Sequence, residues 1–282
     1  MVLISSAWIL FFYFKQKYNY FSLIKLKHKM ECTFTNAKNT YDIFKFISQF
    51  EDHIKLECSE NGISMFTMSN CHSVFIDTNL PVKFFASYKC TRNVSIGLNL
   101  LVLLNALSNS KPSDSLTMKC VDENRVIFTK HSKEQSVEYT IKQMFIEDDP
   151  MQIPELEENV TVKLTPSHLK RWKKGILDFT KSTLIIDPHN DHINLSSVGD
   201  GGTVNLHQPM PADGIEYVVC NECKPVTLGN KNIIRACALG DVSDDIEFGY
   251  QNNMPFRFGA TLDGSGSLRV FMAPCISDMD DD

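Results

Sequence analysis

Residues 54–68 read Ile-Lys-Leu-Glu-Cys-Ser-Glu-Asn-Gly-Ile-Ser-Met-Phe-Thr-Met. Apolar and polar side chains alternate on both sides of Asn61-Gly62, the two-residue period of a half-buried strand. Asn-Gly between two such runs signals a hairpin, because both residues tolerate a positive φ. The spacing sets Ile54, Leu56 and Cys58 against Ile63, Met65 and Thr67. The segment predicts an antiparallel hairpin with one face on a core.

The same pattern returns 130 positions later. Asn61-Gly62 falls on Asp191-His192, and Val74 and Ile76 fall on Val204 and Leu206. Leu98 falls on Leu228, Asp114, Leu116 and Met118 fall on Asp244, Ile246 and Phe248, and 136–146 falls on 266–276. The constant offset predicts two similar domains, 30–146 and 159–277. Each opens with a strand (32–35; 160–164) and continues into a helix. Ile43, Phe44, Ile47 and Phe50 repeat at helical spacing in the first domain, and Trp172, Ile176 and Phe179 in the second. Alternating strands follow, then a second helix (98–108; around 228–239), then further strands such as 126–128, 137–141 and 256–258. Few helices among many antiparallel strands make an α+β fold.

Between the halves, 147–158 carries Pro150, Pro154 and six acids, which can neither bury themselves nor continue a strand. It reads as an exposed connecting loop. Residues 278–282 form an acidic tail. These two short segments hold ten of the chain's 34 acids, and without them 24 acids face 28 Lys and Arg. A net charge of −6 is therefore compatible with one basic face. Nine cysteines without framework spacing read as reduced thiols of an intracellular protein. The first 29 residues differ from the rest. Their apolar run 2–14 is shorter than the roughly 20 residues that span a bilayer, and it lacks a basic start. A peripheral extension, or residues upstream of a start at Met30, is expected rather than a membrane anchor.

The densest basic cluster is Ser167-His168-Leu169-Lys170-Arg171-Trp172-Lys173-Lys174, after a Thr165-Pro166 helix start. At 100° per residue Lys170, Lys173 and Lys174 share one face, and Trp172, Ile176 and Phe179 another. One side packs on a sheet. The other is a cationic stripe suited to phosphates contacted without regard to sequence. A merely solvated helix face has the same pattern. The remaining helices offer Lys45, Lys231 and Arg235.

Four landmarks, in order over 30–279, resemble a known family. Gly62-Ile63-Ser64-Met65-Phe66-Thr67-Met68 with His72 is similar to the first signature of the proliferating cell nuclear antigen type of DNA sliding clamp. Lys89-Cys90-Thr91-Arg92-Asn93, then Gly97-Leu98-Asn99-Leu100, resembles the second. Ile153-Pro154-Glu155 falls at the family's connecting loop, and Phe271-Met272-Ala273-Pro274 at its C-terminal strand.

The resemblance implies a DNA-clamp fold in which two similar domains per chain, three chains per ring, set helices around a central channel. It implies a non-enzymatic processivity factor, without cofactor, metal or catalytic residue, that encircles double-stranded DNA regardless of sequence. DNA contacts would come from Lys170, Arg171, Lys173, Lys174, Lys45, Lys231 and Arg235. The implied partners are DNA polymerase and other proteins with clamp-binding peptides, a clamp-loader ATPase, and further copies of the chain as a homotrimer. Peptides would dock on Met68, His72, Phe75, Met151, Ile153, Pro255, Ala273 and Pro274. Subunits would join through Val137, Tyr139 and Ile141 on one side and Thr203, Val204 and Leu206 on the other. The implied location is the nucleus, or a viral replication compartment. Where the family has channel lysines, Tyr41, Asp42, Ser48, Asn105 and Ser108 stand here. Ser69 replaces an aspartate of the first signature, and Cys275 the lysine after the Ala-Pro pair. A subunit of a heterotrimeric checkpoint clamp, a damage-signalling scaffold of the same fold, is the alternative.

Other chemistry is weakly supported. Cys220-x-x-Cys223 lacks a second pair for zinc. His189 and His192 sit in a polar turn beside Asp187 and Asp191, and Gly199, Gly201 and Gly202 precede no Lys-Ser/Thr. A metal-dependent hydrolase is a third reading, testable by metal binding.

Overall fold

Alternating stretches become strands and helical periodicities become helices in this computed structural model, which describes residues 30–69, 71–120, 122–147, 157–177, 183–219 and 223–275. The first half runs β1 (Met30–Phe34), α1 (Ala37–Ile47), β2 (His53–Ser59), β3 (Gly62–Met68), β4 (Val74–Pro81), β5 (Ser87–Cys90), β6 (Val94–Asn99), α2 (Leu100–Leu107), β7 (Ser115–Cys120), β8 (Arg125–His131) and β9 (Ser136–Lys142). The second runs β10 (Val160–Leu164), α3 (Pro166–Trp172), β11 (Thr183–Pro188), β12 (His192–Gly199), β13 (Gly202–Pro209), β14 (Ile215–Val219), β15 (Val226–Gly229), α4 (Asn230–Ala236), β16 (Ile246–Tyr250), β17 (Phe256–Leu262) and β18 (Gly266–Met272).

The hairpin of 54–68 forms, with Leu56 opposite Met65 and Cys58 opposite Ile63. Its turn sits one residue earlier than the Asn-Gly motif suggests. Ser59 pairs with Gly62, leaving Glu60 and Asn61 as the loop. Gly62 is the first residue of β3, at φ +132°, where an added Cβ would lie 2.2 Å from the Leu80 carbonyl oxygen. Glycine is required there by the close approach of β4 as well as by its backbone angle.

Strand pairing repeats in the two halves. β5-β1-β7-β8-β9 and β6-β2-β3-β4 in the first match β14-β10-β16-β17-β18 and β15-β11-β12-β13 in the second. The 130-residue offset holds for most elements: Cys32 corresponds to Val162, Ile63 to Ile193 and Phe128 to Phe258, each buried. It slips at three strands, the first being β5, where Tyr88 pairs with Cys32 as Tyr217 pairs with Val162, so β5 and β14 correspond at 129. Thr78 pairs with Met65 as Leu206 pairs with Leu195, so β4 and β13 correspond at 128 rather than 130. Ile141 pairs with Val126 as Met272 pairs with Phe256, so β9 and β18 correspond at 131. The predicted match of 136–146 to 266–276 is thereby corrected. A one-residue slip exchanges the faces of a strand, and pairing restores Val137, Tyr139 and Ile141 to the inward face.

A pair of tyrosines marks the repeat more sharply than any apolar position. Tyr88 Oη donates to Ser59 O at 2.6 Å and Gly62 O at 2.7 Å. Tyr217 Oη donates to His189 O at 2.6 Å and His192 O at 3.4 Å. Each ties the edge of one sheet to the hairpin turn of the other through the turn's carbonyls, of which His192 O also accepts from His189 N at 2.8 Å.

The helices pack on these sheets. Asn36 caps α1 by accepting from Asn39 N, and Asn99 caps α2 by accepting from Val102 N. That cap starts the helix at Leu100, so Leu98 belongs to β6 rather than to the predicted helix. α3 begins with Pro166 and widens into a π turn at Lys173–Leu177. Trp172, Ile176 and Leu177 are buried, with Trp172 edge-on to Phe248 at 6.2 Å. Phe179 lies outside the described residues.

The halves meet along β4 and β18, which fuse into a nine-stranded sheet. Asp77, 2% exposed, pairs with Arg269 across the seam through Nε at 2.8 Å and through Nη2. On the helical side Asn39 Nδ2 donates to Asp263 Oδ2 at 2.7 Å, and Arg235 lies over the Phe50 ring at 5.7 Å.

Candidate functional site

Three surfaces hold the residues singled out from the sequence. The first is α3. Lys170, Arg171 and Lys174 are exposed, and Lys173 is half-buried against the apolar floor of the helix. Lys170 Nζ is paired with Asp241 Oδ1 at 3.0 Å, which offsets part of its charge. His168 shares a 2.8 Å hydrogen bond with Thr165 Oγ1. Burial, then the Arg171 charge, push its pKa below the usual histidine range. Lys45 is exposed on α1, 5.9 Å from the Tyr41 ring centroid. Lys231 is exposed on α4, whereas Arg235 is half-buried over Phe50. Asp42, at one of the positions where the resemblance expected a lysine, is paired with Lys38, and α2 presents Leu101 and Val102 to solvent.

The second surface is a cleft of ≈ 560 Å³ on the outer face of β2 and β3. Met68, His72 and Phe75 are brought together in its wall, and Met68 Sδ contacts His72 Nδ1 at 2.8 Å. His72 adopts φ 54°, which swings the turn after β3 back over the cleft. Phe75 is 8% exposed and lies between Phe66 at 6.2 Å and Phe271 at 6.0 Å, so it is floor rather than projecting wall. Pro255, Ala273 and Pro274 do not line this cleft, although Ala273 N bonds Ser73 O beside it. Met151 and Ile153 lie outside the described residues. Phe66 and Phe145, 45% and 88% exposed, complete the apolar lining and were not singled out from the sequence. Phe66 carried a signal: it is an aromatic at an outward position of an otherwise alternating strand. Cys71, exposed at the rim, has its thiol lowered to about 7 by hydrogen bonds from Ser69 and then Ser73.

The third surface is a pair of sheet edges. Among the described residues β9 pairs only with β8 and β13 only with β12. Val137 and Tyr139 are half-buried and Ile141 buried on the first; Val204 and Leu206 are half-buried and Thr203 exposed on the second.

The model of the proliferating cell nuclear antigen N-terminal domain matches residues 29–152. A proliferating cell nuclear antigen of Chaetomium thermophilum is 26% identical over 258 residues, 88% of this chain and 99% of that one. The chain is thus similar to proliferating cell nuclear antigens well beyond the segment that the domain model matches. Relatives in Drosophila melanogaster (proliferating cell nuclear antigen 2) and Caenorhabditis elegans are each 27% identical, over 80% and 88% of this chain and 89% and 97% of theirs. The solved proliferating cell nuclear antigen of Entamoeba histolytica superposes with a TM-score of 0.82 at 16% identity, covering 88% of this chain and all of that one. The α+β clamp fold expected from the sequence is therefore the fold that this chain shares with that structure.

Among the described residues no group of three or more His, Cys, Asp or Glu is placed to hold a metal ion. Cys220 lies outside them, and Cys223 Sγ is 3.1 Å from Tyr250 Oη. His189 and His192 stack nearly parallel at 4.3 Å, each paired with its own aspartate, a geometry that does not converge on one ion. No described helix is long and apolar enough to cross a membrane.

Proposed function

We propose that this chain is one subunit of a homotrimeric DNA sliding clamp, a non-enzymatic ring that encircles duplex DNA in the nucleus and tethers a polymerase. In this reading 30–146 and 159–277 are its two domains, 147–158 joins them and 278–282 is an acidic tail. The carrying observation is the repeated strand pairing. Inside the chain, β18 of the second half pairs with β4 of the first. Their counterparts, β9 and β13, are edges with alternating apolar residues, the kind of strand that finds a partner in another chain. Transferring the internal register through offsets of 131 and 128 sets Val137 opposite Leu206, Tyr139 opposite Val204 and Glu138 opposite Asn205 of the neighbour. One covalent seam and one such pairing per chain close a ring.

A closed ring holds DNA topologically, so weak phosphate contacts suffice and sliding is unhindered. Arg171 and Lys174 supply the strongest of them, with Lys170, Lys173, Lys45, Lys231 and Arg235 adding charge. A loader ATPase opens one seam. Partner peptides insert apolar and aromatic anchors into the cleft of Met68, His72 and Phe75, the helix-in-groove mode. Native mass spectrometry of the isolated chain tests the reading. A homotrimer supports it, a monomer at every concentration refutes it, and a trimer only with two other chains supports the checkpoint clamp instead.

A further inference from the structure

The two seams of the ring carry opposite charge. Beside β18, a cleft of ≈ 480 Å³ is lined by Asp241, Asp244, Asp245 and Asp263 and closed by α1 of the first half. Its counterpart beside β9, ≈ 410 Å³, has Lys111, Lys130 and Lys133 around Ser108, Ser113 and Ser132. In the 130-residue repeat Lys111 stands where the other cleft has Asp241, and Lys133 where it has Asp263. Lys130 Nζ is held against the wall by Ser108 O at 3.0 Å. Asp114 accepts from the Lys111 backbone N at 3.0 Å, leaving Glu134 as the other acid of the lining.

The acidic cleft also shows what closes the basic one. Asn39 and Asp42 of α1 line it, and the N-cap Asn36 matches the N-cap Thr165 of α3. The buried residues Ile43 and Ile47 match Trp172 and Ile176. Asp42 therefore corresponds to Arg171. In the ring, Arg171 of the next chain faces Lys111, Lys130 and Lys133 over the edge residues Val137 and Tyr139, which also line the cleft. Four cations against two carboxylates repel unless an anion enters.

We infer that this cleft, completed by the neighbouring chain, is a phosphate-binding site that couples ring closure to a polyanion. The inference rests on the ring proposed above. Three ammonium groups, one guanidinium and the Ser113 hydroxyl form a donor set for phosphate oxygens, the Ser108 and Ser132 hydroxyls being engaged by Asn105 O and Gln135 O. The phosphate can come from a nucleic-acid backbone or from a free polyphosphate.

Sedimentation velocity of the full chain at matched ionic strength, in chloride, with inorganic tripolyphosphate or with a duplex oligonucleotide, tests it. An anion at ten times its Kd, bound only by the closed seam, tightens association by about tenfold per seam. The variant K111Q/K130Q/K133Q, altered at cleft lysines only and checked by its melting curve, trimerises without the anion and loses the response. A response to DNA alone assigns the site to backbone phosphate, and a response to both assigns it to phosphate generally. A trimer indifferent to both anions, or a triple variant as responsive as the wild type, overturns the inference while leaving the ring. A monomer under all conditions refutes the ring itself.

Discussion

The internal seam carries an ion pair that the intermolecular seam lacks, and grafting it tests the transferred register. Asp77 and Arg269 face each other across β4 and β18. Their counterparts are Asn205 and Glu138, both exposed in the single chain. The double variant Glu138→Arg/Asn205→Asp recreates the pair between chains. Asp77 is buried while the Arg269 side chain is 40% exposed, so the pair stands between surface and buried cases. Its coupling is expected near 1.5 kcal/mol per seam, between the about 1 kcal/mol ceiling of exposed pairs and the about 3 kcal/mol of buried charge-assisted bonds. That corresponds to about tenfold in each seam's dissociation constant. Asn205→Asp alone sets a carboxylate against Glu138 and weakens the trimer. The assay is a double-mutant cycle on the association constant from sedimentation equilibrium, repeated at high salt, where the gain shrinks. The pair Glu138→Arg/His207→Asp, displaced by two residues, shows no coupling if the register is right. Zero coupling for 138 with 205, or equal coupling for 138 with 207, refutes the derivation.

Further outcomes follow from the other surfaces. Tyr139→Asp places a charge among Val137, Ile141 and the neighbour's Val204, and yields a folded monomer by native mass spectrometry. Arg171→Glu/Lys174→Glu leaves the association state intact at high salt but lowers DNA-dependent stimulation of a polymerase; undiminished stimulation removes these residues from the channel. Tyr88→Phe and Tyr217→Phe each lose a hydroxyl bound to a hairpin carbonyl and destabilise by about 1 kcal/mol in urea melts. Similar losses confirm their equivalence, and a large loss at one alone contradicts it. Cys71 alkylation by iodoacetamide rises as pH climbs through about 7, where the lowered thiol ionises, ahead of the buried Cys32 and Cys58, whose thiols are pushed up by burial. Peptide mapping across pH that finds the buried thiols reacting first would contradict that order.

The alternation of 54–68 and the 130-residue echo made the strand order and the α+β class legible, because inward apolar residues must recur on one face wherever a sheet covers a core. The three slips were not legible. The offsets of β4, β5 and β9 depend on where a turn inserts or drops a residue, and alternation alone cannot tell a shift of 130 from 128. Tyr88 and Tyr217 were passed over because their work is done by one hydroxyl, which leaves no periodic trace. The exposure of Lys170 and Lys174 was readable because helical spacing separates them from Trp172 and Ile176, whereas Arg171 was singled out only through the family resemblance. Phe145 was not, since its neighbours form no element whose periodicity would mark it as exposed. The charge contrast between the two clefts was invisible for a related reason: Lys111 and Lys133 are far apart in sequence and meet only through β7 and β8.

Since both halves are wired alike, either one by itself carries a complementary pair of borders. Six copies of such a half-length polypeptide would complete the circle proposed for three full-length ones. Fusing two of them in tandem renders every second joint permanent. Asp77 and Arg269 can then clasp a joint that never has to part, and in the proposed ring the joints left between separate molecules keep the looser chemistry that a gate for a double helix requires.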